Sequence, residues 1–161
     1  MHKTLKRLTF AAMLLVVHAV HAQTGLYAGG DLLITKADLL GTSAGGGLFA
    51  GFNFNKTIGV ELGYKDLGSF DYNGFPTDAQ AIQASLLVSY PIADKTDIYG
   101  RIGVTSLNAA VRDSAFAKKA TGLHAGIGLK HEISDFIKVR AEFQSISKVV
   151  NQIAVSAVFN F

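Results

Sequence analysis

The chain ends on a segment that is apolar at every second position and closes on an aromatic residue. The alternating residues are Ile153, Val155, Ala157, Phe159 and Phe161. Because successive side chains of a strand point to opposite faces, these five residues share one face. Such a segment is typical of the last strand of a β-barrel in a bacterial outer membrane. It predicts a closed sheet, because an open edge in lipid would leave backbone N–H and C=O groups unpaired.

The start of the chain has the three parts of an export signal. Three Lys and Arg residues come first, residues 8–17 form an apolar stretch, and Val20 and Ala22 approximate a signal-peptidase site. The apolar stretch is too short to span a bilayer comfortably. We therefore predict a signal peptide at 1–22, rather than a retained amphipathic anchor, followed by one outer-membrane β-barrel domain at 23–161.

The charge balance changes once this segment is set aside. It holds three of the 15 Lys and Arg residues, so the rest of the chain has 12 basic residues and 12 acidic ones. A formally neutral domain lacks the retained basic patch that phosphates require, and this argues against nucleic acid as a partner. The sequence also contains no cysteine, which excludes a disulfide framework, a thiolate metal site and a cysteine nucleophile.

Alternating segments continue along the whole chain after residue 22. No run of 18 consecutive apolar residues occurs there, so the apolar content is spread by alternation. Eight segments can be distinguished, and bacterial outer-membrane barrels have even strand numbers. We predict an all-β fold, an eight-stranded antiparallel up-and-down transmembrane β-barrel. The predicted strands are 25–35, 44–55, 57–67, 79–90, 97–108, 120–131, 136–146 and 150–161.

The two faces of the predicted strands differ in bulk and polarity. A soluble ligand-carrying barrel would show the same period with its apolar face inside. Here the polar faces are rich in Gly and Ser, which suits a narrow lumen. Tyr64, Tyr90 and Phe161 lie near strand ends, where membrane barrels carry aromatic girdles. We therefore predict that the apolar face contacts lipid.

The connections between the predicted strands alternate in length. Barrels of this class keep short turns on the periplasmic side and longer loops outside. The short connections are 55–56, 91–96 and 132–135. The longer ones, predicted to be outer loops, are 36–43, 68–78 and 109–119. The fourth outer connection, near 147–149, is predicted to be very short.

Several segments resemble the OmpA-like transmembrane domain family. They are residues 87–103 (LVSYPIADKTDIYGRIG), 60–64 (VELGY) and 139–144 (VRAEFQ). The resemblance spans essentially the whole chain after residue 22 and implies a small eight-stranded outer-membrane barrel. Full-length family members continue into a periplasmic peptidoglycan-binding domain. Since the printed sequence closes on the barrel, we expect no cell-wall tethering.

Charged residues on the polar faces are predicted to form a layer in the lumen. Glu61, Arg101 and Arg140 each lie about four residues beyond an inner turn, so their side chains should meet at similar height. Charges in a narrow barrel are costly unless they are paired. We expect Glu61 to bridge the two arginines, with the other charged residues in adjacent layers. The predicted lumenal ion-pair network comprises Glu61, Arg101, Lys130, Lys138, Arg140 and Glu142.

The resemblance implies that a network of this kind can act as a gate. Glu61 and Arg140 match the family pattern, but Leu87 stands where that pattern has a lysine and Lys130 where it has an acid. We therefore predict a structural plug. The alternative is a narrow ion- or solute-conducting pore that the network gates.

The histidines and serines allow a test for enzyme chemistry. His124 is predicted in the lumen, within reach of Asp113 or Ser114, and His131 on the lipid face, so the two cannot form one dyad. No Ser-His-carboxylate set occurs on the outward face, as a lipid-modifying enzyme would need. We predict no enzymatic activity, no cofactor and no metal site. A lipid A-modifying enzyme remains the second alternative.

The sequence thus predicts an integral outer-membrane barrel with a structural role in envelope integrity. Its expected surroundings are outer-membrane lipids and lipopolysaccharide, which residues 118–119 could touch at the outer rim, and we expect a monomer. Periplasmic chaperones and the outer-membrane assembly machinery are expected partners during biogenesis. The predicted C-terminal assembly signal comprises Val155, Ala157, Phe159 and Phe161.

Overall fold

The computed structural model describes residues 25–37, 41–72, 75–111, 117–147 and 150–161. The predicted signal peptide at 1–22 lies outside these residues. Eight antiparallel strands follow one another around a closed barrel, which confirms the predicted fold class. The strands are β1 (Leu26–Ala37), β2 (Gly41–Asn53), β3 (Ile58–Tyr72), β4 (Phe75–Ala93), β5 (Thr96–Val111), β6 (Ala117–Ser134), β7 (Ile137–Ser147) and β8 (Val150–Asn160).

The first and last strands close the barrel. β1 pairs with β8 from Tyr27↔Asn160 to Ala37↔Val150, as well as with β2 on its other side. The closure gives both strands two hydrogen-bonding partners, as a sheet in hydrocarbon requires. The described residues include no helix that is long and apolar enough to cross a membrane. We call the end of the barrel that carries residues 26 and 160 the periplasmic end, and the opposite end the outer end.

The outward face of the barrel is apolar, as predicted. Leu62 and Leu123 are 65% and 73% exposed, while Glu61 and His124, their neighbours in sequence, are buried in the lumen. The same alternation holds in β4, β7 and β8. Side chains that the sequence pattern assigned to lipid therefore lie outside, and those assigned to the lumen lie inside.

The hairpins at the outer end are longer than predicted. The segments 68–78 and 109–119 were expected to be loops, but β3 and β4 remain paired up to Tyr72↔Phe75, and β5 and β6 up to Ala110↔Ala117. In β3 the reason is a β-bulge at Gly68, which has a positive φ of 83°. An extra residue at a bulge changes which side chains face inward, so the period of two is interrupted although the strand continues.

The outer rim has an uneven height. β4 and β6 contain 19 and 18 residues, whereas β7 and β8 contain 11 each. Among the described residues, the pairing of β6 with β7 ends at Ala125↔Ser145, whereas the pairing of β6 with β5 continues outward to Ala117. The hairpins β3–β4 and β5–β6 thus form the tall side of the barrel.

An apolar cluster occupies the outer part of the lumen, where the sequence pattern predicted mostly small or polar side chains. Leu33, Leu67 and Phe70 are 2–5% exposed and lie in this cluster. Ala37, Ala81 and Ala154 pack with them. Phe70 reaches the lumen because the bulge at Gly68 reverses the faces of the residues that follow it.

Candidate functional site

Glu61 lies at the centre of the charged side chains in the lumen. Its Oε1 accepts a hydrogen bond from Arg101 Nη2 at 2.7 Å, and its Oε2 accepts one from Arg140 Nη1 at 2.7 Å. The arginines project from β5 and β7, so the carboxylate on β3 connects three walls of the barrel. All three residues are 4–6% exposed. Short hydrogen bonds between charged groups of this kind are the stronger class.

A second acid completes this arrangement. Glu142 Oε1 lies 3.2 Å from Arg101 Nε, and its Oε2 accepts a hydrogen bond from the Tyr99 hydroxyl. The Tyr27 hydroxyl donates to Glu61 Oε2 at 3.1 Å. Two acids and two arginines give a formally neutral set. We call Glu61, Arg101, Arg140 and Glu142 the central network.

Arg140 is also held between two aromatic rings. Its guanidinium carbon lies 4.2 Å from the centroid of the Phe49 ring and 5.7 Å from that of Tyr99, both within the range of cation–π attraction. The cross-strand partners of these residues are Gly29 and Gly128. A Cβ at Gly29 would lie 2.3 Å from the Phe49 ring, and one at Gly128 would lie 2.8 Å from the Tyr99 ring. An inward aromatic residue opposite an inward glycine is the sequence signal of this packing.

The two lysines of the predicted network lie apart from the central network. Lys130 Nζ is 3.1 Å from Asp97 Oδ2, and Lys138 Nζ is 3.4 Å from Glu132 Oε2, both towards the periplasmic end. Each lysine pairs with its direct cross-strand partner. The structure therefore brings together four of the six predicted residues and places Lys130 and Lys138 in separate ion pairs.

A second polar cluster, which the sequence analysis did not predict, lies nearer the outer end. Lys65 Nζ is 3.3 Å from Asp31 Oδ2 and donates a hydrogen bond to Gln152 Oε1 at 3.1 Å. The amide of Gln152 donates to Thr35 Oγ1, and the Ser156 hydroxyl donates to Asp31. These residues come from β1, β3 and β8, and only their position on inward faces marks them in the sequence. We call them the upper cluster.

The two histidines face opposite sides of the barrel wall, as predicted. His124 is buried in the lumen, with one ring nitrogen 2.9 Å from Ser85 Oγ and the other 2.7 Å from Thr105 Oγ1. The suggested neighbours Asp113 and Ser114 lie outside the described residues. His131 is exposed at the periplasmic end and contacts Thr96 Oγ1 at 2.9 Å. The described part of the chain contains no group of three His, Asp or Glu side chains placed to hold a metal ion.

The residues of the predicted assembly signal lie on the outside of β8. Val155, Ala157 and Phe159 face outward, and the backbone N–H of Phe161 donates to the carbonyl oxygen of Leu26 at 3.0 Å. At the outer end Lys119 is exposed, while the side chain of Lys118 lies outside the described structure.

The family model for the outer membrane protein beta-barrel domain matches residues 8–161. The chain belongs to this family. Among its relatives, outer membrane protein A of Escherichia coli O157:H7 is 32% identical over 108 residues, which cover 62% of this chain and 31% of the relative. Outer membrane protein A of Serratia marcescens is 31% identical over 117 residues, which cover 65% of this chain and 33% of the relative. The match spans about a third of the length of these relatives.

Solved structures show the same fold. Ail, the attachment invasion locus protein of Yersinia pestis, solved in complex with the heparin analogue sucrose octasulfate, has a TM-score of 0.62 and 18% identity, and the alignment covers 86% of this chain and 97% of Ail. The N-terminal β-barrel domain of Pseudomonas aeruginosa OprF has a TM-score of 0.57 and 14% identity, and the alignment covers 86% of this chain and 100% of that domain. The protein is thus an integral bacterial outer-membrane β-barrel, and the OmpA-like resemblance is confirmed.

Proposed function

We propose that the protein is a structural barrel that supports the integrity of the outer membrane and whose lumen is blocked by its own side chains. The observation that carries this proposal is the bridge from Glu61 to Arg101 and Arg140. It joins three strands across the lumen with buried, short hydrogen bonds. A lumen of eight strands is wide enough for little beyond its own side chains. Conduction would require this bridge to open.

Two further clusters support a blocked lumen. The upper cluster lies between the central network and the outer end, and the apolar cluster around Leu67 and Phe70 occupies the outer part. Along β1 and β8, Leu33 and Ala154 of the apolar cluster lie between residues of the upper cluster, so the two clusters together fill one zone of the lumen. An ion that crosses the barrel would have to pass the central network and this zone, and both would have to rearrange for a continuous water path to form.

A narrow gated pore is the second candidate function. The observation that favours it is the position of Arg101, which contacts Glu61 through Nη2 and Glu142 through Nε. An arginine with two acidic partners can release one while it keeps the other. A switch also needs a second cation that can take over the released acid. Lys130 and Lys138 are held in separate ion pairs and are not available to the central network, so we favour the structural role.

Planar-bilayer conductance separates these two functions. We expect no discrete openings from the wild-type protein or from Glu61→Ala, because the upper and apolar clusters remain in both. Glu132→Ala is the matched control, since it removes an acid at the periplasmic end and leaves the central network intact. Openings of the wild type that change with Glu61→Ala but not with Glu132→Ala would establish the pore and refute a blocked lumen.

The envelope role and the absence of enzymatic activity have their own tests. A deletion strain should become more sensitive to detergent and regain resistance when the wild-type gene is supplied, with lipid A unchanged in mass. Within the described residues His124 contacts Ser85 in the lumen, away from lipid, which supports a non-enzymatic role. A change in the lipid A acyl pattern would favour the lipid A-modifying enzyme, and unchanged detergent sensitivity would contradict the envelope role.

We also propose that the protein is a monomer surrounded by lipopolysaccharide and phospholipid, delivered by periplasmic chaperones and inserted by the assembly machinery through its terminal strand. The outward position of Val155, Ala157 and Phe159 supports this recognition of the terminal strand.

A further inference from the structure

A small cavity lies at the periplasmic end of the lumen, below the central network. Arg140 and Tyr99 line its inner part, and Lys130, Lys138 and Asn160 contribute to its walls. Its volume is about 20 Å³, which is enough for one particle of about the size of a water molecule. The lysine side chains are 19% and 23% exposed, so the cavity can be reached from the periplasm.

The walls of this cavity carry charge of one sign. Three cationic side chains line it, and none of the described residues that line it is acidic. The acids that balance these cations lie beside or behind the cavity: Asp97 pairs with Lys130, Glu132 with Lys138, and Glu61 with Arg140. A lysine ammonium has three donors and an arginine guanidinium five, so each ion pair leaves further N–H groups for another acceptor.

Two buried donors at the cavity lack a partner within the described structure. They are Nε of Arg140 and Nδ2 of Asn160. Buried polar groups are normally hydrogen-bonded, and an unpaired one is destabilising. Both residues line the cavity, so an acceptor bound there would lie beside donors that have no other partner within the described structure.

We propose that this cavity binds a small inorganic anion of the size of chloride. An anion would accept hydrogen bonds from the unpaired donors and would also interact favourably with the ammonium groups of Lys130 and Lys138. A water molecule would satisfy the donors but would gain little from the three positive charges. The site requires neither conduction nor an envelope role, so it goes beyond the function proposed above and can be tested separately.

The two unpaired donors serve as the probes. We would titrate chloride into ¹⁵N-labelled protein, purified from outer membranes in detergent micelles, at constant ionic strength with gluconate as the balancing anion. The Arg140 Nε–H and the Asn160 side-chain amide resonances should shift saturably, with half-saturation in the millimolar range. Gluconate is too large for the cavity, so its own titration should leave both resonances in place.

Lys138→Met tests the role of the surrounding charge. Removal of one cation next to the bound anion should raise the half-saturation concentration about tenfold. Lys56→Met is the matched control, because Lys56 is exposed in the turn between β2 and β3 at the same end of the barrel. Its titration should equal that of the wild type.

Shifts that are linear in concentration, or equal for chloride and gluconate, would show that only water occupies the cavity and would overturn the proposal. Crystals of the wild-type protein grown in bromide give a test that does not depend on how the variants fold. An anomalous peak within hydrogen-bonding distance of Arg140 Nε supports the site. Absence of bromide there, at a concentration that saturates the chloride-dependent shifts, refutes it.

Discussion

At the scale of single residues, the central network contains equal numbers of acids and arginines in a lumen with little room for water. Burial of charge in such a place is costly, and mutual pairing offsets that cost only while every partner is present. Glu61 has the largest effect on this balance because it accepts hydrogen bonds from both arginines. Its loss would leave one acid, Glu142, beside two guanidinium groups.

Glu61→Ala should therefore destabilise the barrel by about 3–5 kcal/mol, the usual cost of breaking a buried pair on one side. The double variant Glu61→Leu with Arg140→Leu removes one acid and one base and retains the contact of Arg101 with Glu142. It should be more stable than Glu61→Ala. Urea unfolding in lipid vesicles measures both. Equal stability of Glu61→Ala and the wild type would show that the bridge contributes nothing.

The bridge from Glu61 to Arg101 and Arg140 could be predicted from the sequence, whereas the contact of Glu142 with Arg101 and the ion pairs of the two lysines could not. Glu61, Arg101 and Arg140 lie at equal distances from inner turns, so counting alone places them at one height. Lys130 and Lys138 have acids directly opposite them on the neighbouring strand, and the nearer acid forms the pair. Exact strand register decides that choice, and the sequence pattern does not fix it.

At the scale of elements, alternation predicts a strand only as long as its period is unbroken. The third strand was predicted to end at residue 67 because its alternation stops there, but a bulge follows and β3 continues to Tyr72. Gly68 permits the bulge through its positive φ of 83°. Asp66 supports it, since its Oδ1 accepts a hydrogen bond from the N–H of Gly68 at 2.9 Å.

Gly68→Val should destabilise the protein by about 2 kcal/mol, because non-glycine residues are strained at positive φ. The added Cβ would also lie 2.2 Å from Ser43 Oγ. Gly122→Val is the matched control on β6, since a Cβ there meets no atom within 4 Å and β-branched residues suit strands. Hydrogen exchange should accelerate in the β3–β4 hairpin of Gly68→Val alone. Equal effects of the two variants would contradict a special role for the bulge.

The contacts of the upper cluster, unlike the bridge from Glu61 to the two arginines, were not predicted from the sequence. Lys65 and Asp31 lie on strands that are not neighbours, so no local pattern links them. They meet only because the sheet closes into a narrow barrel. Closure itself was predictable from the outward apolar face, but this contact between Lys65 and Asp31 was not.

At the scale of the whole molecule, the outward surface has to match the depth profile of the membrane. Its middle is apolar, as Leu62, Leu123 and Ile127 show, and polar residues such as Lys119 and Thr121 appear towards the outer end. The energetic effect of a charge on this surface should therefore depend on its depth rather than on its strand.

Ile127→Arg should cost about 2–4 kcal/mol, because it places a charge near the middle of the bilayer. Thr121→Arg lies on the same face of the same strand but nearer the outer rim, where the cost should fall to about 0–1 kcal/mol. Unfolding free energies in vesicles of one lipid composition give the comparison. Equal costs at both positions would show that β6 does not cross the membrane at the expected depth.

The uneven outer rim makes the barrel asymmetric about the axis that is normal to the membrane. A barrel of uniform height would present the same profile to neighbours at every angle around its axis. Here the hairpins β3–β4 and β5–β6 rise on one side, while the short β7–β8 hairpin leaves the opposite side low. The outer end of the barrel therefore presents a tall face in one direction and a low face in the other, so rotation of the barrel about its axis changes which of the two a given neighbour contacts.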